Sequence, residues 1–325
     1  MSLELAPLAE ACGKIILLGE HSVVFGYPAL AAGLARGLSL RATALPDPRA
    51  AIELSVPAWG IDERLTAGHE HPVARACLEV LAHCDGPVTG WRIEGEARIP
   101  CRAGLGSSAA LTVALARLAL APQQADGGEP DLDEVVAASL AGERIFHGNP
   151  SGIDSEVAAR GGVVAYERGQ PCAAIELGFP ALHLVVMPTG VPRQTGILVA
   201  GVAARRDRFP SVIDPVLGAL GQLVHRSRAA LAGAELPALA ELTNVAHELL
   251  GALGVGHPAL DRLCATALEH GALAAKLTGA GGGGCAFALC ETPAATATVL
   301  AGLRAAFPQL AADPHTAPFA VEVEP

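Results

Sequence analysis

A mixed fold of helices and strands, divided between two domains, is what this sequence predicts. Three observations lead there. A strand, glycine-rich loop and helix follow one another over residues 91–120; residues 197–268 are almost continuously helical in pattern; and a second glycine-rich loop at 277–284 runs into an apolar strand. A length of 325 residues allows one large or two ordinary domains with sizeable cores. The composition shifts around 170–180, which sets the expected domains at 1–178 and 179–325, and no internal repeat is visible.

The elements follow in order from local pattern. Gly13–Leu18 reads as a buried strand with Lys14 near its start, and Gly19-Glu20-His21 as a turn. Residues 29–38 are Ala- and Leu-rich and fit either a helix or an extended segment leading into 38–44. Pro46-Asp47-Pro48 marks a turn, 52–56 alternates as a strand, and 72–83 has a helical apolar face with Pro72 at a favoured first-turn position. Residues 91–99 alternate as a strand before the first glycine loop, whose helix runs to about Leu120. A polar loop, 123–130, precedes a helix over 131–146 with acidic residues in its first turn, where the helix dipole favours them. His147-Gly-Asn-Pro150 stops that helix, and a short segment opens at Ser151 and closes at Gly161-Gly162. Beyond it come a strand at 182–187, a loop at 188–195 and helices at 197–204, 212–232, 236–251 and 258–269. The second glycine loop, a strand at 285–290, a helix at 296–307 and a closing strand at 320–324 complete the chain.

Composition narrows the function. With 51% hydrophobic and 17% charged residues the chain is not disordered, and its formal charge of −11 disfavours nucleic acid or an anionic membrane as partner. The mean hydropathy is +0.40, yet Arg36, Arg117, Arg193 and Lys276 interrupt the apolar stretches before any reaches the ~18 residues of a spanning helix. Glu4 and Glu10 precede the first basic residue, Lys14, so no secretory leader is expected and the expected compartment is the cytoplasm. Eight cysteines without a CxxC spacing read as reduced, mostly buried thiols.

Several residues carry candidate chemistry. Gly104-Leu105-Gly106-Ser107-Ser108-Ala109 at a helix start would align backbone N–H groups at the positive end of a dipole, a cradle for phosphate. Two other readings exist: an N-cap in which Ser107 or Ser108 satisfies those donors, and a dinucleotide fingerprint with Asp126 as its acid, the latter disfavoured because no repeating βαβ units follow. Glu143 lies near a helix C-terminus, either as a solvated glutamate or, beside a serine hydroxyl and phosphate, as a Mg²⁺ ligand. Ser151-x-x-Asp154 fits a capping box and equally a presented general base. Lys14, in an apolar strand, needs a carboxylate partner, for which Asp154 is a candidate. His21 is a polar contact for substrate or a satisfied surface histidine; His69-Glu-His71 reads as a helix entry rather than a metal site. Five glycines within 277–285 require a loop that something approaches closely.

Three separated motifs then converge. Gly13-Lys-Ile-Ile-Leu-Leu-Gly-Glu-His-Ser-Val-Val-Phe-Gly26, Gly104-Leu-Gly-Ser-Ser-Ala-Ala110 and Lys276-Leu-Thr-Gly-Ala-Gly-Gly-Gly-Gly-Cys285 resemble, in order, the signature motifs of the GHMP small-molecule kinases. The Gly-Glu-His-Ser-Val-Val turn, Gly148-Asn-Pro-Ser-Gly-Ile-Asp154 and Thr189-Gly-Val-Pro-Arg-Gln-Thr195 look like the mevalonate kinase branch; a galactokinase-like Thr-Asp-Tyr-Asn continuation is absent. Cys12 stands where the family usually has proline, and Cys101-Arg102 replace a usual Pro-Gly-like pair.

The resemblance implies an α+β fold, with an N-terminal domain of the ribosomal-S5 second-domain type and a ferredoxin-like C-terminal domain. It implies transfer of phosphate from ATP to the 5-hydroxyl of mevalonate. Alternatives are a sibling kinase acting on phosphomevalonate or a sugar, and a non-catalytic nucleotide sensor. In the implied site, Gly104 to Ala109 and Gly281 serve the nucleotide, and Ser108 and Glu143 hold Mg²⁺. Asp154 takes the hydroxyl proton and Lys14 neutralises developing charge, while Glu20, His21, Ser151 and Thr195 contact substrate. Members of the family often form dimers, so a homodimer is an expectation too.

Overall fold

The computed structural model describes residues 8–123, 128–148 and 150–324, so Asp126 and Asn149 lie outside the described residues. Its elements are β1 (Leu8–Leu18), β2 (Ala29–Ala44), β3 (Ile52–Val56), β4 (Ile61–Leu65), α1 (Pro72–His83), β5 (Trp91–Ala97), α2 (Ser107–Leu120), α3 (Leu132–His147) and α4 (Ile153–Arg160). There follow β6 (Val163–Tyr166), β7 (Ala173–Ile175), β8 (Leu182–Pro188), α5 (Thr195–Arg208), α6 (Pro210–Ala232), α7 (Leu236–Ala252) and α8 (Pro258–Glu269). The chain ends with β9 (Ala274–Thr278), β10 (Cys285–Cys290), α9 (Pro293–Ala306), α10 (Pro308–Ala312) and β11 (Phe319–Val323).

Two compact units divide these elements, and they interleave along the chain. Unit one takes the N-terminal stretch through Gly13, Arg36–Pro100 and Gly106–Arg160; unit two takes Lys14–Ala35, Cys101–Leu105 and everything from Gly161. This differs from a single cut at 178/179, because β1 and β2 each run from one unit into the other and a five-residue piece of the first glycine loop belongs with the second unit.

In unit one, β3 pairs antiparallel with β4 and parallel with β5, and β5 pairs antiparallel with β2 in the register Leu38↔Ala97 to Ala44↔Trp91. The even-numbered apolar residues of β2 and β3 (Leu38, Leu40, Ile52, Leu54) face α1, α2 and α3 to form the core. Helix α2 is buried on nearly all sides, as its Ala/Leu/Val composition dictates. Its one charged residue, Arg117, turns its guanidinium onto the carbonyls of Glu10 and Ala159. Asp131 caps α3, its carboxylate accepting from the N–H groups of Asp133 and Glu134, both at 3.0 Å.

Residues 29–38 are extended, not helical: β2 pairs with β6 over Ala29–Ala32. A continuous run of small apolar residues suits a strand covered on both faces, and periodicity alone does not separate that from a buried helix. In unit two the sheet order is β11-β8-β10-β9, all antiparallel, with helices between β8 and β9 and between β10 and β11. That is the ferredoxin-like arrangement. Among the described residues no helix is long and apolar enough to cross a membrane. The cysteines at 77, 84, 264, 285 and 290 are buried, and burial pushes the Cys77, Cys264 and Cys285 thiols up to about 12.

Candidate active site

The first glycine loop ends in an open helix N-terminus. Gly106, in left-handed conformation at φ 77°, is the N-cap of α2, and no side chain caps the helix. Neither Ser107 nor Ser108 therefore fills the capping role that the sequence allows them. An uncapped N-terminus with a glycine at its mouth leaves the first-turn N–H groups for an external anion.

Ser108 faces Glu143 for a structural reason. Gly142 on α3 lies so close to α2 and α1 that a β-carbon there would stand 2.7 Å from Thr112 Cγ2 and 2.8 Å from Val80 Cγ2. This approach brings the next residue, Glu143, within 3.3 Å of Ser108, whose hydroxyl donates to Oε2. Glu143 is 2% exposed, so it is not the solvated glutamate of the alternative reading. His147 Nε2 lies 3.4 Å from Ser108 Oγ and 3.6 Å from Glu143 Oε2. A buried hydroxyl relay, Thr112–Ser139 at 2.8 Å and Ser139–Ser155 at 2.9 Å, ties α2 and α3 to α4 one residue from Asp154. Asp154 lies in the first turn of α4 and is half-buried. The capping box does not form around Ser151: α4 begins at Ile153, and the Glu156 N–H bonds to the Gly152 carbonyl, which moves the cap to Gly152 and leaves Ser151 exposed ahead of it.

Unit two holds the other candidates. Lys14 is 6% exposed, and its backbone N–H donates to the Leu105 carbonyl at 2.8 Å, fixing this strand to the first glycine loop. Two residues on, Ile16 N–H and C=O both bond to the Thr278 hydroxyl at 2.9 Å, which fixes it to the second. His21 takes a left-handed φ of 59° and donates from Nε2 to the Ala280 carbonyl at 2.9 Å. That bond leaves Nδ1 as an acceptor, buried and with no hydrogen-bond partner among the described residues. Burial holds the imidazole below its ordinary pKa.

Glu20 is placed differently from the substrate contact expected of it. Its Oε1 accepts from Lys276 Nζ at 2.5 Å, with both side chains essentially inaccessible. Lys276 also donates to the Leu277 carbonyl and lies 5.4 Å from the Phe287 ring centroid. The third motif contains Lys276 without giving it a task; the signal that marks it is a lysine inside an apolar run. Gly281 meets the α7–α8 connection: a β-carbon there would lie 2.1 Å from the Val255 carbonyl oxygen, so its small size serves loop packing. Thr195 is the exposed first residue of α5. His69 and His71 both turn onto Glu63, at 3.3 and 3.0 Å, and among the described residues no group of three ligating side chains suits a metal.

Comparison with known proteins adds a second line of argument. The family signatures described as GHMP kinases N terminal domain and GHMP kinases C terminal match residues 72–162 and 217–309. A mevalonate kinase of Bos taurus is 34% identical over 90% of this chain and 88% of its own, and one of Pyrococcus furiosus is 35% identical over 91% and 93%. Among solved structures, the L. major mevalonate kinase in complex with R-mevalonate superposes with a TM-score of 0.84, at 26% identity over 98% of this chain and 96% of that one.

Proposed function

The chain belongs to the GHMP kinase family, and from that premise we propose that it transfers the terminal phosphate of ATP to the 5-hydroxyl of mevalonate, giving 5-phosphomevalonate and ADP. The observation that carries the substrate choice is likeness to mevalonate kinases over nine-tenths of the chain, from cattle to archaea. The cytoplasm is the compartment we propose, and a homodimer the assembly.

The residues have a division of labour that fits this chemistry. Gly104, Leu105 and Gly106 carry the nucleotide phosphates up to the N–H groups of Ser107, Ser108 and Ala109, at the uncapped helix end. Ser108 and Glu143 fit Mg²⁺: a hydroxyl and a buried carboxylate 3.3 Å apart are hard oxygen donors, and this ion is usually held by one or two such groups with phosphate and water completing its shell. When bound, it would neutralise charge on the phosphates. Asp154 accepts the proton from the attacking hydroxyl, and Lys14 offsets negative charge on the attacking oxygen. His21, Ser151 and Thr195 orient the acceptor, while Glu20 and Gly281 hold the turn and loop around it. Phosphoryl transfer asks a protein chiefly for alignment and charge neutralisation, so this set is chemically sufficient.

The test is ADP release with mevalonate, phosphomevalonate and galactose as acceptors, repeated for Asp154→Asn. Mevalonate should give the highest kcat/KM, and the variant should lose about 10²–10⁴-fold in kcat while still binding ATP. Faster turnover of another acceptor would overturn the substrate, and undiminished turnover in the variant would remove Asp154 from the base role.

A further inference from the structure

Three buried hydroxyls, one from each of three helices, meet inside the first unit. Thr112 on α2 and Ser139 on α3 are 0% exposed, and Ser155 on α4 is 1% exposed. Thr112 Oγ1 lies 2.8 Å from Ser139 Oγ, and Ser139 donates to Ser155 Oγ at 2.9 Å. A serine hydroxyl has a single proton, so Thr112 is the donor at the first link and the bonds run one way, from α2 through α3 to α4. The Thr112 hydroxyl also lies 3.2 Å from the Ser108 carbonyl oxygen. Every other buried side chain on α2 is Ala, Leu or Val. Each hydroxyl stands beside a candidate site residue. Thr112 comes four residues after Ser108 and Ser139 four before Glu143, so each pair shares a helix face one turn apart, and Ser155 directly follows Asp154. The Ser108–Glu143 bond at 3.3 Å and the Thr112–Ser139 bond at 2.8 Å are thus successive rungs between α2 and α3.

We propose that Ser139, together with Thr112 and Ser155, is a positioning residue for the phosphoryl transfer: the relay fixes the rotation and offset of the three helices, so that Ser108 and Glu143 converge on one metal ion while Asp154 is held toward the acceptor hydroxyl. This rests on the reading of Ser108 and Glu143 as the Mg²⁺ pair and of Asp154 as the base, and the hydroxyls act through those residues. Folding alone does not call for polar atoms here. Valine and alanine fill nearly the same space, and replacing every partner of a buried set by apolar groups of like shape is close to neutral for stability, whereas removing one strands the others. What apolar contacts lack is direction: burial of Ala and Leu surface is indifferent to a small turn of the helix, while a hydrogen bond weakens steeply once bent. Gly142, packed against Thr112 Cγ2, sets how closely α3 approaches α2, and the hydroxyls set the angle and register of that approach. A misplacement of about 1 Å in a group that aligns the reactants costs about 10²-fold in rate, so such a device has something to protect.

The test compares wild type with Ser139→Ala, with Thr112→Val, which keeps the shape and loses the hydroxyl, and with Thr112→Ser, which keeps the hydroxyl. A triple variant, Thr112→Val with Ser139→Ala and Ser155→Ala, leaves no member of the relay stranded. Each is followed by urea melts, by calorimetric titration of ATP over a series of Mg²⁺ concentrations, and by ADP release with mevalonate. Ser139→Ala should melt at lower urea than wild type, and the triple variant should recover most of that difference. Function should not recover with it: in the triple variant kcat should stay down by about tenfold or more, KM for mevalonate should stay within about twofold, and the Mg²⁺ needed for half its effect on ATP binding should rise by about tenfold. Thr112→Ser should keep kcat and the Mg²⁺ requirement within about twofold of wild type, and Thr112→Val should not. A triple variant with the kcat and Mg²⁺ requirement of wild type would mean that the hydroxyls only satisfy one another, and would overturn the proposal, as would Thr112→Ser falling as far as Thr112→Val. Should the triple variant fail to fold, the two Thr112 variants decide. The ATP titrations contain no acceptor, so a wild type that ignored mevalonate would overturn the substrate assignment and leave the Mg²⁺ readout intact. Failure of the metal reading would show in wild type itself, as ATP binding indifferent to Mg²⁺, and would remove the proposal with it; failure of the relay alone would show only in the variants.

Discussion

Replacing Lys276 by methionine keeps the length of the side chain and removes its charge. Lys276 is 0% exposed and Glu20 1%, so the variant leaves a carboxylate in the interior without its cation. Glu20 Oε2 already lacks a hydrogen-bond partner among the described residues, so neither oxygen of the variant would be answered, and the Leu277 carbonyl would lose its donor as well. Breaking a buried pair from one side costs about 3–5 kcal/mol. An independent bound comes from proton uptake: neutralising an ordinary glutamic acid at pH 7 costs about 3.7 kcal/mol, which caps the charge penalty in the same range. Against a typical total stability of about 5–15 kcal/mol, the loss is large. Urea denaturation of wild type, Lys276→Met, Glu20→Gln and the double variant, at pH 7 and pH 5, measures it. The Lys276→Met deficit should shrink by about 1.4 kcal/mol per pH unit on acidification, since the stranded carboxyl takes up its proton more readily. Adding Glu20→Gln should recover much of the loss. A deficit below about 1 kcal/mol at pH 7, or one indifferent to both pH and Glu20→Gln, would refute the buried-pair reasoning.

Two further outcomes concern the same unit. Gly281→Ala must place its methyl 2.1 Å from a backbone oxygen, that of Val255, at a φ of 76°. The left-handed conformation alone costs about 1–2 kcal/mol, and no flexible side chain can give way, so a loss above about 2 kcal/mol in a urea melt is expected. Gly26→Ala, at φ 93° with nothing within 4 Å of its β-carbon, is the control and should lose only the conformational part. Stability should also fall on acidification below neutrality. Burial lowers the pKa of both His21 and His247, the latter with help from nearby Lys276, against the opposing effect of Asp261, Glu248 and Glu20. Their contribution is therefore present above about pH 6.5, where the unfolded imidazoles titrate, and is lost as pH drops through the depressed folded values. Melts between about pH 7.5 and 5 check this: His247→Gln should flatten the slope, and a wild type that gains stability toward about pH 5.5 would contradict it.

Where each side chain's environment is set by its neighbours in sequence, the sequence is readable. Pro72–His83, Ile52–Val56, Pro258–Glu269 and Cys285–Cys290 fall at or within a residue of the expected bounds, because amphipathic spacing, proline at a helix start and glycines beside a strand are local signals. What escapes depends on distant partners. Ile61–Leu65, Ala173–Ile175 and Ala274–Thr278 are short strands whose extended form comes from the ladders they join. The first part of Ala29–Ala44 is ambiguous for the same reason, as its run of small apolar residues fits helix and strand alike until β6 is there to pair with it.

The site divides in the same way, and the division has a cause. Motif glycines are visible because five in nine residues have no other explanation than a loop, yet the reason each must be glycine lies elsewhere in the chain. For Gly281 that reason is the Val255 carbonyl, and for Gly104, Gly279 and Gly284 it is the Arg193 side chain. Likewise Glu143 reads as an isolated glutamate until Gly142 lets α3 close on α2 and the carboxylate reaches Ser108. A motif therefore marks where the backbone had to be made small, and the residue that occupies the resulting space is the one to ask about function. Glu20 shows the same dependence on distant partners: it sits inside a signature, yet the residue that occupies its carboxylate is Lys276, 256 positions further along the chain.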